Sequence, residues 1–395
     1  MDSLGIYISV PFCRSKCTYC NFASGVFPSN YMERYIERVC EDLRTAMNAH
    51  ASMPRTVDTI YLGGGTPSLL PPELVKALFG AIYEQFQVVG EAEITVECAP
   101  GQLADDVLDT MLECGVNRIS FGVQSFIDQE AKATGRLHTC AMALEDIWRV
   151  QKAGVKRVNV DLIAGLPHQT AASWRESLAI LTDTGADHAS IYMLEVDDDS
   201  RLGREVLNGG ARYFAPAIPS DDAVADMYAV AVNILSKEGL AQYEISNFAH
   251  GGAESVHNKK YWLRQPYLGL GVDAHSMLRN PSGEAVRFSA TDDLQSYLGA
   301  PGWNHSHTLT RKEEIEEAWF LGLRLNAGVS LSRLAAEFGQ ESMAQFQPIL
   351  SELCLDGLLT IDGDHVALTL RGRLLSNEVF AQFLDEMKIP APSTV

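Results

Sequence analysis

Over its first half the chain alternates short β-branched and aliphatic runs with longer amphipathic windows. The runs Gly5 to Val10, Thr59 to Leu62, Glu93 to Cys98, Arg118 to Val123, Arg157 to Leu162 and His188 to Leu194 read as strands. Between them, apolar residues recur at helical spacing near 30–49, 72–86, 105–114, 140–153 and 171–184, several windows opening on Asn, Pro or Asp and closing at Gly. Six strand–helix repeats predict a parallel sheet, because parallel neighbours need a helical crossover. In Val158-Asn159-Val160-Asp161-Leu162 the apolar residues share one face and Asn159 and Asp161 the other, and Glu93 to Glu97 alternates in the same way. A parallel sheet is normally covered on both sides, so this polar face must line an interior. Polar residues gathered at the C-terminal strand ends predict an α/β fold, an open (β/α)6 partial barrel with its site at that end.

Past the sixth strand the pattern loosens. Residues 196–309 hold an acidic run at Asp197-Asp198-Asp199, a turn at Asn208-Gly209-Gly210 and one clear helix from Asp221 to Lys237, and read as an α+β central extension to the barrel of residues 1–195. From 310 to 395 the spacing predicts helices over Arg311 to Leu325, Leu331 to Phe338 and Met343 to Asp356. Two short strands, Leu358 to Ile361 and His365 to Leu368, follow around Asp362-Gly363-Asp364, with a last helix beyond. Three helices and a hairpin resemble a winged-helix module. With seven basic against thirteen acidic residues it is expected to dock or pack rather than bind DNA.

The 395 residues are 46% hydrophobic, which excludes a disordered or fibrous chain. Lys and Arg number 31 against 51 Asp and Glu, and a net charge of −20 repels phosphate backbones, so nucleic acid is not an expected partner. No transmembrane span or secretory signal is expected, which predicts a cytoplasmic location.

Of eight cysteines, Cys40, Cys98, Cys114, Cys140 and Cys354 are scattered through apolar patterns as ordinary buried residues. Cys13, Cys17 and Cys20 sit together just past the first strand, at CxxxCxxC spacing. A structural zinc would want a fourth Cys or His nearby, and the sequence offers none. Iron–sulfur clusters are usually held by four thiolates. Three in one loop would leave a 4Fe-4S cluster with one iron open to a small molecule.

The cysteine loop, followed after the second strand by Gly63-Gly64-Gly65-Thr66-Pro67, resembles the radical S-adenosylmethionine superfamily. Within it the chain is similar to the oxygen-independent coproporphyrinogen dehydrogenase branch and, most of all, to that branch's heme chaperones. The resemblance implies a 4Fe-4S cluster on Cys13, Cys17 and Cys20. It implies S-adenosylmethionine contacts from Tyr7, Tyr19, Gly64, Gly65, Thr66, Glu97, Gln124, Arg136 and Asp161. Glycines suit such a turn because backbone must approach the ligand closely. Phe22 stands where the dehydrogenase carries a further cysteine, and the chain reaches Cys13 without that enzyme's long leading segment, so porphyrinogen decarboxylation is not expected.

A second motif, His257-Asn258-Lys259-Lys260-Tyr261-Trp262, is similar to the HNxxYW of the heme chaperones. It implies heme contact from His257, Asn258, Tyr261 and Trp262. An imidazole can ligate iron and the aromatic faces can stack on a macrocycle. His257 is the expected axial ligand, with His250 and His275 as second choices. The implied partners are heme, an acceptor hemoprotein, of the respiratory chain and at the membrane, and an electron donor. Two other classes stay open: a radical enzyme acting on a porphyrin or small molecule, as dehydrogenase or methyltransferase, and a heme or redox sensor.

Overall fold

The computed structural model describes residues 3–49, 52–299, 302–303 and 305–384. Two compact units emerge. One holds most of the chain up to Thr308, and the other combines Tyr243–Ile245, Tyr261–Arg264 and the chain from Leu309 onward.

In the first unit, β1 (Leu4–Val10), β2 (Thr56–Gly64), β3 (Gln87–Cys98), β4 (Arg118–Gln124), β5 (Arg157–Ala164) and β6 (His188–Met193) lie side by side in sequence order, all parallel. The crossovers carry α1 (Asn30–Ala49), α2 (Pro72–Gln85), α3 (Asp105–Glu113), α4 (Asp128–Ala133), α5 (Cys140–Lys152) and α6 (Ala171–Asp183). Ile6, Ile8, Ile60, Leu62, Val96, Ile119, Phe121, Val160 and Leu162 on the outer strand faces are at most 1% exposed. Each such side chain contributes about 1.5–3 kcal/mol on burial. The opposite face is polar, with Tyr7, Tyr61, Glu97, Ser120, Asn159 and Asp161 at alternating positions. The sequence expectation of an α/β partial barrel with a polar interior therefore matches the fold.

The chain after β6 is more regular than its sequence suggests. Beyond α7 (Arg201–Leu207) and α8 (Asp221–Lys237), it supplies strands to both flanks of the same sheet. β7 (Ala241–Gln242) and β8 (Asn247–Ala249) add antiparallel beside β6. Helix α9 (Val256–Trp262) then leads to β9 (Tyr267–Leu270), parallel to β1, and on to β10 (His275–Arg279), β11 (Ala285–Ser289) and β12 (His305–Thr308). Strands of two to five residues leave almost no period-two signal, which is why sequence reading passes over them.

In the second unit, helices at Arg311–Gly322, Leu331–Phe338 and Gln347–Leu355 precede a hairpin of Leu359–Asp362 and His365–Leu368, as expected. Its core centres on Trp319, stacked on Phe383 with ring centroids 5.0 Å apart. The first of these helices stops at Gly322 rather than Leu325, and the window from 343 to 356 breaks at Phe346 into two helices. No helix among the described residues is long and apolar enough to cross a membrane.

Candidate cluster and nucleoside site

β1 ends in a loop whose backbone is pinned from several sides. Gly25 N–H donates to Pro11 O and Cys13 N–H to Gly25 O, each at 2.9 Å, closing the loop on itself. Thr18 N–H donates to Thr134 O at 3.0 Å, and Leu202 N–H to Thr18 O at 2.8 Å. Asn21 Nδ2 donates to Asp197 Oδ2 at 3.0 Å, and Arg201 donates to Lys16 O. Cys13, Cys17 and Cys20 thereby line one cavity of about 470 Å³ at the C-terminal strand ends.

The three sulfur atoms are not all within 4.8 Å of one another. Ligands of one tetrahedral zinc with Zn–S of about 2.3 Å would sit about 3.8 Å apart. The trio suits a larger body than a single ion. Arg136 Nη1 lies 3.5 Å from Cys17 Sγ and Thr66 Oγ1 lies 3.9 Å from Cys13 Sγ. Burial pushes the Cys13 thiol up, and three thiolates in this half-enclosed loop call for positive charge.

The glycine turn comes within hydrogen-bond reach of the same loop. Gly65 N–H donates to Val10 O and Thr66 N–H to Phe12 O, both at 2.8 Å. A Cβ on Gly65 would stand 2.7 Å from Val10 O and 2.8 Å from Phe12 O, so only glycine fits. Gly64, at φ +99°, aims its N–H at Glu97 Oε2 at 3.2 Å, while Tyr61 OH donates to Glu97 Oε1 at 2.8 Å. Glu97 is pushed up to about 7, first by burial and then by the neighbouring charge of Asp161. Asp161 accepts from Asn159 Nδ2 at 2.7 Å and Ser120 OH at 3.3 Å, and burial raises it too. Gln124 ends β4 at φ +69°, and its buried Oε1 has no partner. An acceptor held open in a strained backbone conformation signals a group that a ligand completes. Arg136 donates to Gly122 O as well as to Cys17.

Of the residues singled out in the sequence for this site, Cys13, Cys17, Tyr19, Cys20, Gly64, Gly65, Thr66, Glu97, Gln124, Arg136 and Asp161 all line the cavity. Tyr7 does not. It lies deeper, its ring 6.0 Å from Tyr61 and 6.5 Å from His257. Sequence reasoning missed Tyr61, Arg118 and Ser120, although period-two alternation on β2 and β4 places each on the polar face.

The HNxxYW segment forms α9. Glu93 caps its start, accepting from Val256 N–H at 3.0 Å and His257 N–H at 2.9 Å. His257 is 1% exposed, and its Nδ1 is hydrogen-bonded to Thr59 Oγ1 at 2.8 Å. Burial and the nearby Lys260 and Arg118 charges push its imidazole down to about 3, so it is neutral. His257 and Asn258 belong to the first unit, whereas Tyr261 and Trp262 cluster with the second, where the Arg324 guanidinium lies 4.2 Å from the Trp262 ring. His250 and His275 are exposed.

Comparison with known proteins agrees with this geometry. The Radical SAM superfamily model matches residues 7–181, and the HemN C-terminal domain model matches residues 309–375. The chain is 34% identical to the heme chaperone HemW of Bacillus subtilis over 385 residues, covering 96% of this chain and 99% of that one. It is 30% identical to the mitochondrial radical S-adenosyl methionine domain-containing protein 1 of Bos taurus, covering 97% and 88%. The solved coproporphyrinogen III oxidase HemN of Escherichia coli superposes with a TM-score of 0.82 at 22% identity, over 97% of this chain and 90% of that one, a likeness of fold. Three thiols in one loop, a glycine turn bonded to it and relatives matching almost end to end converge: the chain belongs to the HemW family of the radical S-adenosylmethionine superfamily.

Proposed function

We propose that the protein is a heme chaperone, binding heme and passing it to an acceptor hemoprotein, with a 4Fe-4S cluster and S-adenosylmethionine held in the barrel cavity. The observation that carries this reading is near full-length kinship with HemW proteins together with an intact cavity lined by three thiols and an unpartnered acceptor on Gln124.

When bound, the cluster would supply one electron and an open iron position for the methionine end of S-adenosylmethionine. Cys13, Cys17 and Cys20 would hold it, with Arg136 offsetting thiolate charge at Cys17. Gly64 and Gly65 let backbone approach the methionyl group, and Thr66 sits against Cys13. Glu97 and Asp161 offer negative charge to an ammonium or acceptors to ribose hydroxyls. Gln124 Oε1 gives a further acceptor, and Tyr19 walls the cavity beside the loop.

Heme is the cargo. His257 carries the neutral imidazole that iron requires, but it is enclosed, so ligation through it needs α9 to lift from β1 and β2. His275 is open without rearrangement, 3.8 Å from Asp273. Asn258, Tyr261 and Trp262 would then orient and stack on the macrocycle. An electron donor for the cluster and a membrane-associated respiratory acceptor belong to the same reading, as does a cytoplasmic location with peripheral membrane contact through partners.

The test is heme titration of anaerobically reconstituted protein, followed by transfer to an apo-acceptor. A Soret band that weakens in His257→Ala and not in His275→Ala supports ligation by His257, and the reverse pattern moves the ligand to His275. No Soret band in the wild type, or no transfer, overturns the chaperone reading. Consumption of S-adenosylmethionine in step with modification of a supplied porphyrin would make the protein an enzyme.

A further inference from the structure

Below the cavity lies a cation that none of the contacts above uses. Arg118 opens β4, is 1% exposed, and leaves Nε and Nη2 without a hydrogen-bond partner. A guanidinium stays protonated in proteins, and taking one out of water without partners costs several kcal/mol. Something in the fold must offset it. Period-two alternation puts Arg118 on the inner face with Ser120, Gly122 and Gln124, of which Gly122 and Gln124 line the cavity. Its register partner on β3 is Thr95, whose buried hydroxyl is also unpartnered, and Glu97 follows Thr95 by two residues on the same face. On the other side, Gly122 is registered with Asp161, and Ser120 donates to the Asp161 carboxylate.

We infer that Arg118 is the fixed counter-charge of the nucleoside pocket, a positioning residue that limits how far burial hinders ionisation of the Glu97 and Asp161 carboxyls, so that both can ionise against a cationic ligand. The inference rests on the reading of that cavity as the S-adenosylmethionine site. The nearby cations are engaged elsewhere: Arg136 with Cys17 and Gly122, and Lys260 with Asp58 at 2.8 Å. Once both carboxyls are ionised, two carboxylates against one guanidinium leave a net single negative charge. A molecule with a sulfonium, an ammonium and one carboxylate is net positive by one, so the charges match.

The titratable groups that feel Arg118 are Tyr61 on β2, Glu97 on β3, Asp161 on β5, His188 on β6 and His257 on α9. Glu93, also on the inner face of β3, caps α9. In every case the Arg118 charge favours the less protonated form, holding both histidines neutral and both carboxyls lower than burial alone would set them.

The test uses the full chain with reconstituted cluster, in the wild type, Arg118→Lys and Arg118→Met. S-adenosylmethionine affinity is measured by anaerobic equilibrium dialysis between pH 6 and 9, and thermal stability without ligand is followed over the same range. In Arg118→Met the pH at which affinity is half-maximal rises by a unit or more, roughly a fivefold or larger loss at pH 7, with iron content unchanged. Arg118→Lys restores the wild-type midpoint. A folded, cluster-loaded Arg118→Met with an unmoved midpoint overturns the inference, even if it binds more weakly at every pH.

If Arg118→Met does not fold, Arg118→Met combined with Asp161→Asn regains stability because opposite charges leave together. A double variant no more stable than the single one also overturns it. Should the wild type fail to bind S-adenosylmethionine, the cavity assignment falls. Arg118 is then judged on stability alone, where the pH at which stability is lost moves upward in Arg118→Met or the counter-charge role is wrong.

Discussion

Glu97→Gln makes a prediction whose sign changes with pH. In the fold the Glu97 carboxyl is raised from an ordinary 4.5 to about 7. A carboxyl raised in this way stays protonated in the native state after the unfolded chain has ionised. Its stabilising contribution is therefore complete below about 4.5 and is lost as the pH climbs through about 7. At about 1.36 kcal/mol per pH unit, that interval amounts to roughly 3 kcal/mol. Glutamine has no such loss. It carries a different and constant cost, because Tyr61 OH and Gly64 N–H are bonded to different oxygens of Glu97 and the NH2 that replaces one of them cannot accept, and a lost hydrogen bond costs about 1–2 kcal/mol. The variant is thus expected to be less stable than the wild type by about 1–2 kcal/mol near pH 4.5 and more stable by a similar amount above pH 8. Anaerobic urea denaturation of ligand-free protein at the two pH values reads this directly. In parallel, Glu97→Gln is expected to lose most of its S-adenosylmethionine affinity, a trade of stability for function. A stability difference that is the same at both pH values would refute the account of Glu97 as a carboxyl held out of its ordinary range.

Two further predictions concern the backbone and α9. Gly65→Ala forces a methyl against three backbone atoms of Val10 and Phe12 that cannot swing aside. It is expected to cost about 1–3 kcal/mol and to lower the iron bound after reconstitution, whereas Gly80→Ala, with nothing within 4 Å on α2, is expected to gain up to about 1 kcal/mol. Equal iron content and equal melting in Gly65→Ala and the wild type would show that the turn does not shape the cluster loop. Lys260→Met removes the cation that ties α9 to Asp58 at 2.8 Å and to Ser3 O at 3.1 Å, and is expected to destabilise by a few kcal/mol. If α9 must lift to uncover His257, the same variant takes up heme faster in stopped-flow measurements. An unchanged rate places heme ligation elsewhere.

The six barrel strands and their helices were legible because long amphipathic windows and period-two runs are strong signals. Asn159 and Asp161 on one face of β5 are by themselves enough to imply a polar interior. The cavity lined by the cysteine loop and the glycine turn was legible for a different reason. Backbone approach at Gly64 and Gly65 needs glycine, and three thiols at short spacing need a common guest, so residue type alone carries geometry. What stayed hidden depended on contacts far apart in sequence. The short strands that flank the barrel owe their form to β1 and β6. The broken helix near Phe346 follows from Phe346 packing on Trp319 and Phe383, with ring centroids 5.5 and 6.0 Å away.

The HNxxYW segment shows why a motif does not fix a site. As a string it offers an imidazole, an amide and two aromatic rings, which suffices to suggest a macrocycle. In the fold the imidazole is buried with its Nδ1 hydrogen-bonded to Thr59, and the Trp262 ring faces the Arg324 guanidinium. The segment is therefore held in place without cargo, and heme bound through it would have to displace those contacts. A chaperone that has to give its cargo up gains from this arrangement, because the protein contacts that re-form on release offset part of the cost of losing heme.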